Sequence, residues 1–140
     1  MQSTITILKG EKMSKIEFGK YTEVTKRAKE FDKEFFNEYE RVFICPDVHN
    51  FWIAKILVGI NEDYEEQEDC VLIERNNIDE VSAKHLKMPH GLSDNELIDV
   101  VLKADSEDGS NWDVLECDSV EDAIEELSDV FGVILEDEAN

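Results

Sequence analysis

Proline is nearly missing from this chain, with only Pro46 and Pro89 among 140 residues, and glycine is sparse at six. That composition excludes proline-rich recognition segments and long flexible linkers. No apolar run reaches the ~18 residues that a membrane span requires, and no charged-apolar-small pattern opens the sequence as a secretory signal would. Cysteine is limited to Cys45, Cys70 and Cys117, an odd number set far apart without a Cys-x-x-Cys pair. A disulfide framework is a poor fit to that spacing. The expectation is a cytoplasmic chain whose thiols are small, buried and reduced.

The deepest shortage is of positive charge in the second half. Residues 1 to 60 hold ten Lys and Arg against nine Asp and Glu, whereas residues 61 to 140 hold four against twenty-six, giving −21 overall. Adaptation to high salt would acidify the whole surface, yet the first sixty residues keep ten of the fourteen basic residues. A field this negative repels nucleic acid and anionic membrane, and it draws cationic partners faster at low salt. Whole-chain disorder is excluded by a hydrophobic content of 41% and by apolar runs at 51–60 and 97–102. A length of 140 residues suits one domain with a core of its own.

Phe51 to Ile60 is apolar on both alternating faces except at Lys55, which is how a central strand covered on both sides reads. Val42 to Cys45 and Cys70 to Glu74 read as neighbouring strands. Pro46 ends the first of these, and Asp47 to Asn50 make the turn. Over residues 20–40 the spacing of Tyr21, Val24, Ala28, Phe31, Phe35 and Tyr39 predicts one helix with an aromatic inner face. Asn77 caps a short helix carrying Ile78, Val81 and Leu86, stopped by Pro89 and Gly91. Ser93-Asp94-Asn95-Glu96 is a capping box opening the most buried helix, with Leu97, Ile98, Val100, Val101, Leu102 and Ala104.

Trp112 to Cys117 alternates like a strand. The last helix, Val120 to Phe131, starts after Asp118 or Ser119, buries Val120, Ala123, Ile124, Leu127, Val130 and Phe131, and stops at Gly132. Val133 to Leu135 has room for a short final strand. The expected fold is α+β: a mostly antiparallel sheet of about four strands packed with about four helices, in the order α-β-β-β-α-α-β-α. It is expected to span residues 13–140. Lys9-Gly10-Glu11-Lys12-Met13 back-translates to a purine-rich stretch before an ATG, so Met13 is expected to be the natural start and residues 1–12 an extension.

Three chemistries are weighed and set aside. Asp47-Val48-His49 after a strand resembles the Asp-x-His of the metallophosphatases, which holds one metal of a pair. The Gly-Asp and Gly-Asn-His elements of such a site occur nowhere in the chain, and His85 and His90 lack the spacing, so an Asx turn is the better reading. Cys45 near His49 has no third orienting residue. An EF-hand starting at Asp105 puts Glu116 at position twelve but Gly109 at position five, and the shifted frame starts on Ala104. No catalytic residue, metal or cofactor is assigned.

What is left is acid arranged in three places. The loop 61–69 presents Glu62, Asp63, Glu65, Glu66, Glu68 and Asp69; the loop 105–111 presents Asp105, Glu107 and Asp108; the outer face of the last helix presents Glu121, Asp122, Glu125, Glu126 and Asp129, followed by the tail Glu136-Asp137-Glu138. On that helix three like-charge pairs lie four apart, each opposing helix formation by about 0.2 to 0.5 kcal/mol. Successive acids rise ~6 Å per four residues, a spacing that a basic groove reads much as it reads phosphates. The expectation is an acidic inhibitor or decoy that occupies the nucleic-acid-binding site of a nuclease or nucleic-acid effector. In character it is similar to the DNA-mimic, anti-restriction, anti-CRISPR and nuclease-immunity proteins of phages and mobile elements. The alternative is an acidic phage or mobile-element adaptor that binds its partner through an apolar patch.

Overall fold

A computed structural model describes residues 16–47, 50–78, 93–107 and 112–136. The expected extension at 1–12, most of the expected helix after Asn77, and the residues Val48, His49 and Asp108 lie outside them.

The apolar run 51–60 forms the spine, β3 (Phe51–Ile60). β2 (Arg41–Pro46) and β4 (Glu66–Ile78) pair with it antiparallel, one on each side. β5 (Trp112–Cys117) adds antiparallel to β4, and β1 (Lys20–Glu23) antiparallel to β2. β6 (Gly132–Ile134) then runs parallel to β1, completing a six-stranded mixed sheet in the order β5-β4-β3-β2-β1-β6. The expectation of about four mostly antiparallel strands ordered α-β-β-β-α-α-β-α is therefore corrected. Among the described residues there are six strands and four helices, in the order β-α-α-β-β-β-α-β-α-β.

The physical reasons are local. Lys20–Glu23 was expected to begin a helix because Tyr21 and Val24 share the three-four spacing of the residues after them. In the fold Tyr21 joins one core while Val24 joins the other, which is strand behaviour. The remaining helix is short and broken: α1 (Thr25–Phe31) and α2 (Lys33–Phe36) meet at Asp32, whose carboxylate accepts from the Phe35 N–H at 3.1 Å and caps the second piece. β4 outruns the expected Cys70–Glu74 at both ends, taking in acids that belong by sequence to a loop. Asn77 and Ile78, expected to open a helix, are the end of that strand.

Helices cover both faces. Phe51, Ile53 and Leu57 pack with Val24, Ala28, Phe36, Leu72 and with Ile98, Val101 and Leu102 of α3 (Asp94–Glu107). Ala54 and Ile56, on the opposite face of β3, pack with Phe43, Val71, Ile73 and with Ala123 and Leu127 of α4 (Val120–Val130). Each fully buried Ile or Leu contributes about 1.5 to 3 kcal/mol, so both layers are held by the alternation of one strand. The capping box forms as expected, Ser93 N–H to Glu96 Oε1 at 2.8 Å and Glu96 N–H to Ser93 Oγ at 3.2 Å. None of the described helices is long and apolar enough to cross a membrane.

Gly132 does not cap α4 in a left-handed turn. Phe131 ends the helix in an extended conformation, and a Cβ on Gly132 would lie 3.2 Å from the Lys20 Cγ across the parallel pair. Val130, expected in the core, is 63% exposed, at the flank of the helix face that buries Ala123 and Leu127.

Candidate functional site

The turn from β3 to β4 is built by Asn61, whose side-chain Oδ1 accepts from the N–H groups of Asp63 and Glu65 at 2.9 and 3.0 Å. Gly59 sits at φ +79° where the register between β3 and β4 shifts, a conformation that a side chain would strain. Glu62, Asp63, Glu65, Glu66, Glu68 and Asp69 are all exposed in consequence. The Glu62 N–H donates to Glu116 Oε2 at 3.1 Å, tying the turn to β5.

Glu116 opens a second acidic feature. Ser119 caps α4, its Oγ accepting from the Asp122 N–H at 3.1 Å, and this fixes the helix directly after β5. Glu116, Asp118, Asp122, Glu125 and Glu126 then line one concave pocket of about 290 Å³ with Cys117. No Lys or Arg occurs in residues 56–74 or 104–140, the stretches that supply these groups. The field reaches the nearby thiols. Burial pushes Cys117 up, and Glu126, Asp122, Asp118 and Glu116 push it further; burial likewise raises Cys70, with Glu116 accepting from its thiol.

Of the residues expected at the site, the fold thus brings the turn acids into continuity with Asp122, Glu125 and Glu126 through Glu116. Glu121 and Asp129 are exposed on α4. Glu107 is exposed at the end of α3, and Asp108 lies outside the described residues. Asp105 was expected in an acidic loop and is corrected: it occupies the last turn of α3, is 1% exposed, and pairs with Lys55 at 2.7 Å. Glu136, expected in the acidic tail, is buried as well, its N–H donating to Glu23 Oε1 at 3.2 Å.

Lys55 and Asp105 belong to a polar cluster that the sequence reading missed. Lys55 Nζ also lies 3.7 Å from Glu74, and 5.1 and 4.8 Å from the ring centres of Phe35 and Tyr39. Tyr39 Oη donates to Glu74 Oε1 at 2.9 Å and Tyr64 Oη to Glu74 Oε2 at 2.6 Å. Asn76 Nδ2 donates to Asp105 Oδ1 at 2.7 Å. Burial, reinforced by Glu74, drives the Tyr39 phenol far above the usual tyrosine range, and the Tyr64 phenol, bonded to the same carboxylate, is raised as well. One signal was legible: a lone lysine inside a ten-residue apolar strand must find buried carboxylate partners.

Asp47, the carboxylate of the metallophosphatase-like motif, accepts from Trp52 Nε1 at 3.3 Å and closes the turn. Among the described residues no group of three or more His, Cys, Asp or Glu is arranged to hold a metal ion. A scan against protein-family models, a search of curated proteins and a search of solved structures each return no match for this chain.

Proposed function

We propose that this protein is a non-catalytic acidic inhibitor, acting in the cytoplasm, that occupies the positively charged nucleic-acid-binding site of a nuclease or nucleic-acid effector. It would belong in kind with DNA-mimic, anti-restriction, anti-CRISPR or nuclease-immunity proteins. The observation that carries this reading is the continuity of the acidic surface. The β3–β4 turn, Glu116 and Asp118 at the end of β5, and Asp122, Glu125 and Glu126 on α4 come from separate stretches and meet with no basic residue in those stretches. Grouping like charges costs stability, and a rigid sheet and a capped helix hold them together against that repulsion. Such a surface offers Lys and Arg in a phosphate-binding groove several acceptors at once.

The test is capture of partners by tagged protein from its host lysate, and from a panel of nucleases and nucleic-acid effectors, at low and moderate salt. A basic nucleic-acid enzyme should be retained at low salt, released steeply as salt rises, displaced by competitor DNA, and lost on charge reversal of Glu121, Asp122, Glu125 and Glu126. A neutral partner held equally at both salts overturns the proposal in favour of the adaptor reading. One feature favours that second reading: Tyr21, Trp52, Leu127, Val130 and Phe131 line an apolar pocket of about 130 Å³ beside the Arg75–Asp113 pair.

A further inference from the structure

A polar cavity of about 230 Å³ on the α3 side of the sheet is walled by Phe35, Tyr39, Lys55, Glu74, Asn76, Asp105, Ser106 and Glu107. We propose that it receives one guanidinium group, the arginine side chain of a basic partner. Three carboxylates stand against one ammonium among the described wall residues, and that ammonium is already engaged by Asp105 at 2.7 Å and Glu74 at 3.7 Å. An anion finds no free cation there. Asn76 is 2% exposed and commits its amide N–H to Asp105, while its Oδ1 is buried without any partner. Asn76, in the cavity wall, therefore carries a buried acceptor in want of a donor, which an apolar or acceptor-only ligand leaves unsatisfied. The Phe35 and Tyr39 rings lie within cation–π range of the Lys55 ammonium, so aromatic faces that attract positive charge form part of the cavity wall. A guanidinium supplies five donors in one plane and stacks on aromatic rings, whereas an ammonium offers a compact, strongly hydrated charge. The volume accommodates one arginine side chain.

Tyr64 links this cavity to the acidic turn, since its hydroxyl reaches Glu74 from within residues 61–65. An arginine seated here would lie under the edge of the proposed partner surface, as an anchor beneath a field of weaker charge contacts. The inference rests on the proposed basic partner only for what carries the arginine. Its test uses the isolated protein, so its failure and the failure of the inhibitor reading are distinguishable.

The experiment is titration of the isotope-labelled protein with N-acetyl-arginine methylamide, followed by amide chemical shifts, with the lysine analogue in parallel. Saturable shifts are expected at Tyr39, Asn76 and Ser106, with the lysine analogue at least tenfold weaker. Glu107→Lys, at an exposed rim position, should weaken the arginine probe tenfold or more with the fold intact. Glu125→Lys with Glu126→Lys, on α4, should leave it unchanged. Shifts spread along the α4 acids without saturation, equal binding of the two probes, or indifference to Glu107→Lys each overturn the proposal.

Discussion

Lys55 is the residue on which the α3 side of the sheet depends. Its side chain is 7% exposed against an Asp105 side chain at 0%, so replacing it by methionine strands a buried carboxylate. We expect Lys55→Met to cost about 3 to 5 kcal/mol by denaturant unfolding, and Lys55→Met with Asp105→Leu to cost less than the two single changes summed. Glu23 makes a comparable claim on the other side. Burial alone would raise its carboxyl, but hydrogen bonds from Arg41 and Thr25 and from the Glu136 N–H outweigh that and hold it below its ordinary value. A carboxyl lowered in the folded state contributes stability that is complete above its unfolded value, near 4.5, and is lost as pH falls through the folded one. Glu23→Gln should therefore cost about 2 to 3 kcal/mol at neutral pH and flatten the acid limb of a stability–pH profile. Cys117 reports the field directly: neutralising Asp122 and Glu126 together should lower its raised pKa and speed its alkylation near pH 8.

Among elements, α4 separates function from stability. Glu121–Glu125, Asp122–Glu126 and Glu125–Asp129 are like-charge pairs on exposed positions of one helix. Glu125→Lys turns two of them attractive and should raise stability by about 0.5 to 1 kcal/mol in thermal unfolding while weakening capture of a basic partner. A surface selected for folding alone would gain on both counts. Ser119→Ala removes the cap and should cost about 1 kcal/mol. Elements whose signal is local were legible: β3 and β5 at their bounds, the Ser93 capping box, and the Ser119 start of α4. β1 was read as helix and β6 only as room for a short strand at Val133 to Leu135, because a strand of four residues and one of three are defined by pairing with each other and with β2. Neither run is long enough to display a period of its own.

At the scale of the whole molecule, a net charge of −21 acts on stability as well as on recognition. Self-repulsion is larger in the folded state, where the turn, β5 and α4 acids are crowded together. Moderate salt should therefore stabilise the fold, with about 1 kcal/mol expected from the α4 pairs alone, while weakening the proposed partner complex. Opposite responses of stability and binding to one variable are checked by running thermal unfolding and partner titration over the same salt series.

The amino-acid sequence by itself determined the charge asymmetry, the central strand and the exposure of most of the acids, because each depends on composition or on a period within one segment. Only the tertiary structure decided which acids share a surface. Asp105 and Glu136 look like their exposed neighbours in sequence, but the first is claimed by a lysine fifty positions away and the carboxylate of the second accepts from the Lys26 backbone N–H at 3.4 Å. A carboxylate is buried when a partner across the fold compensates its desolvation, and no local pattern records that partner. The meeting of Glu62 with Glu116 follows likewise from β5 pairing along β4, which sets the acidic turn beside α4.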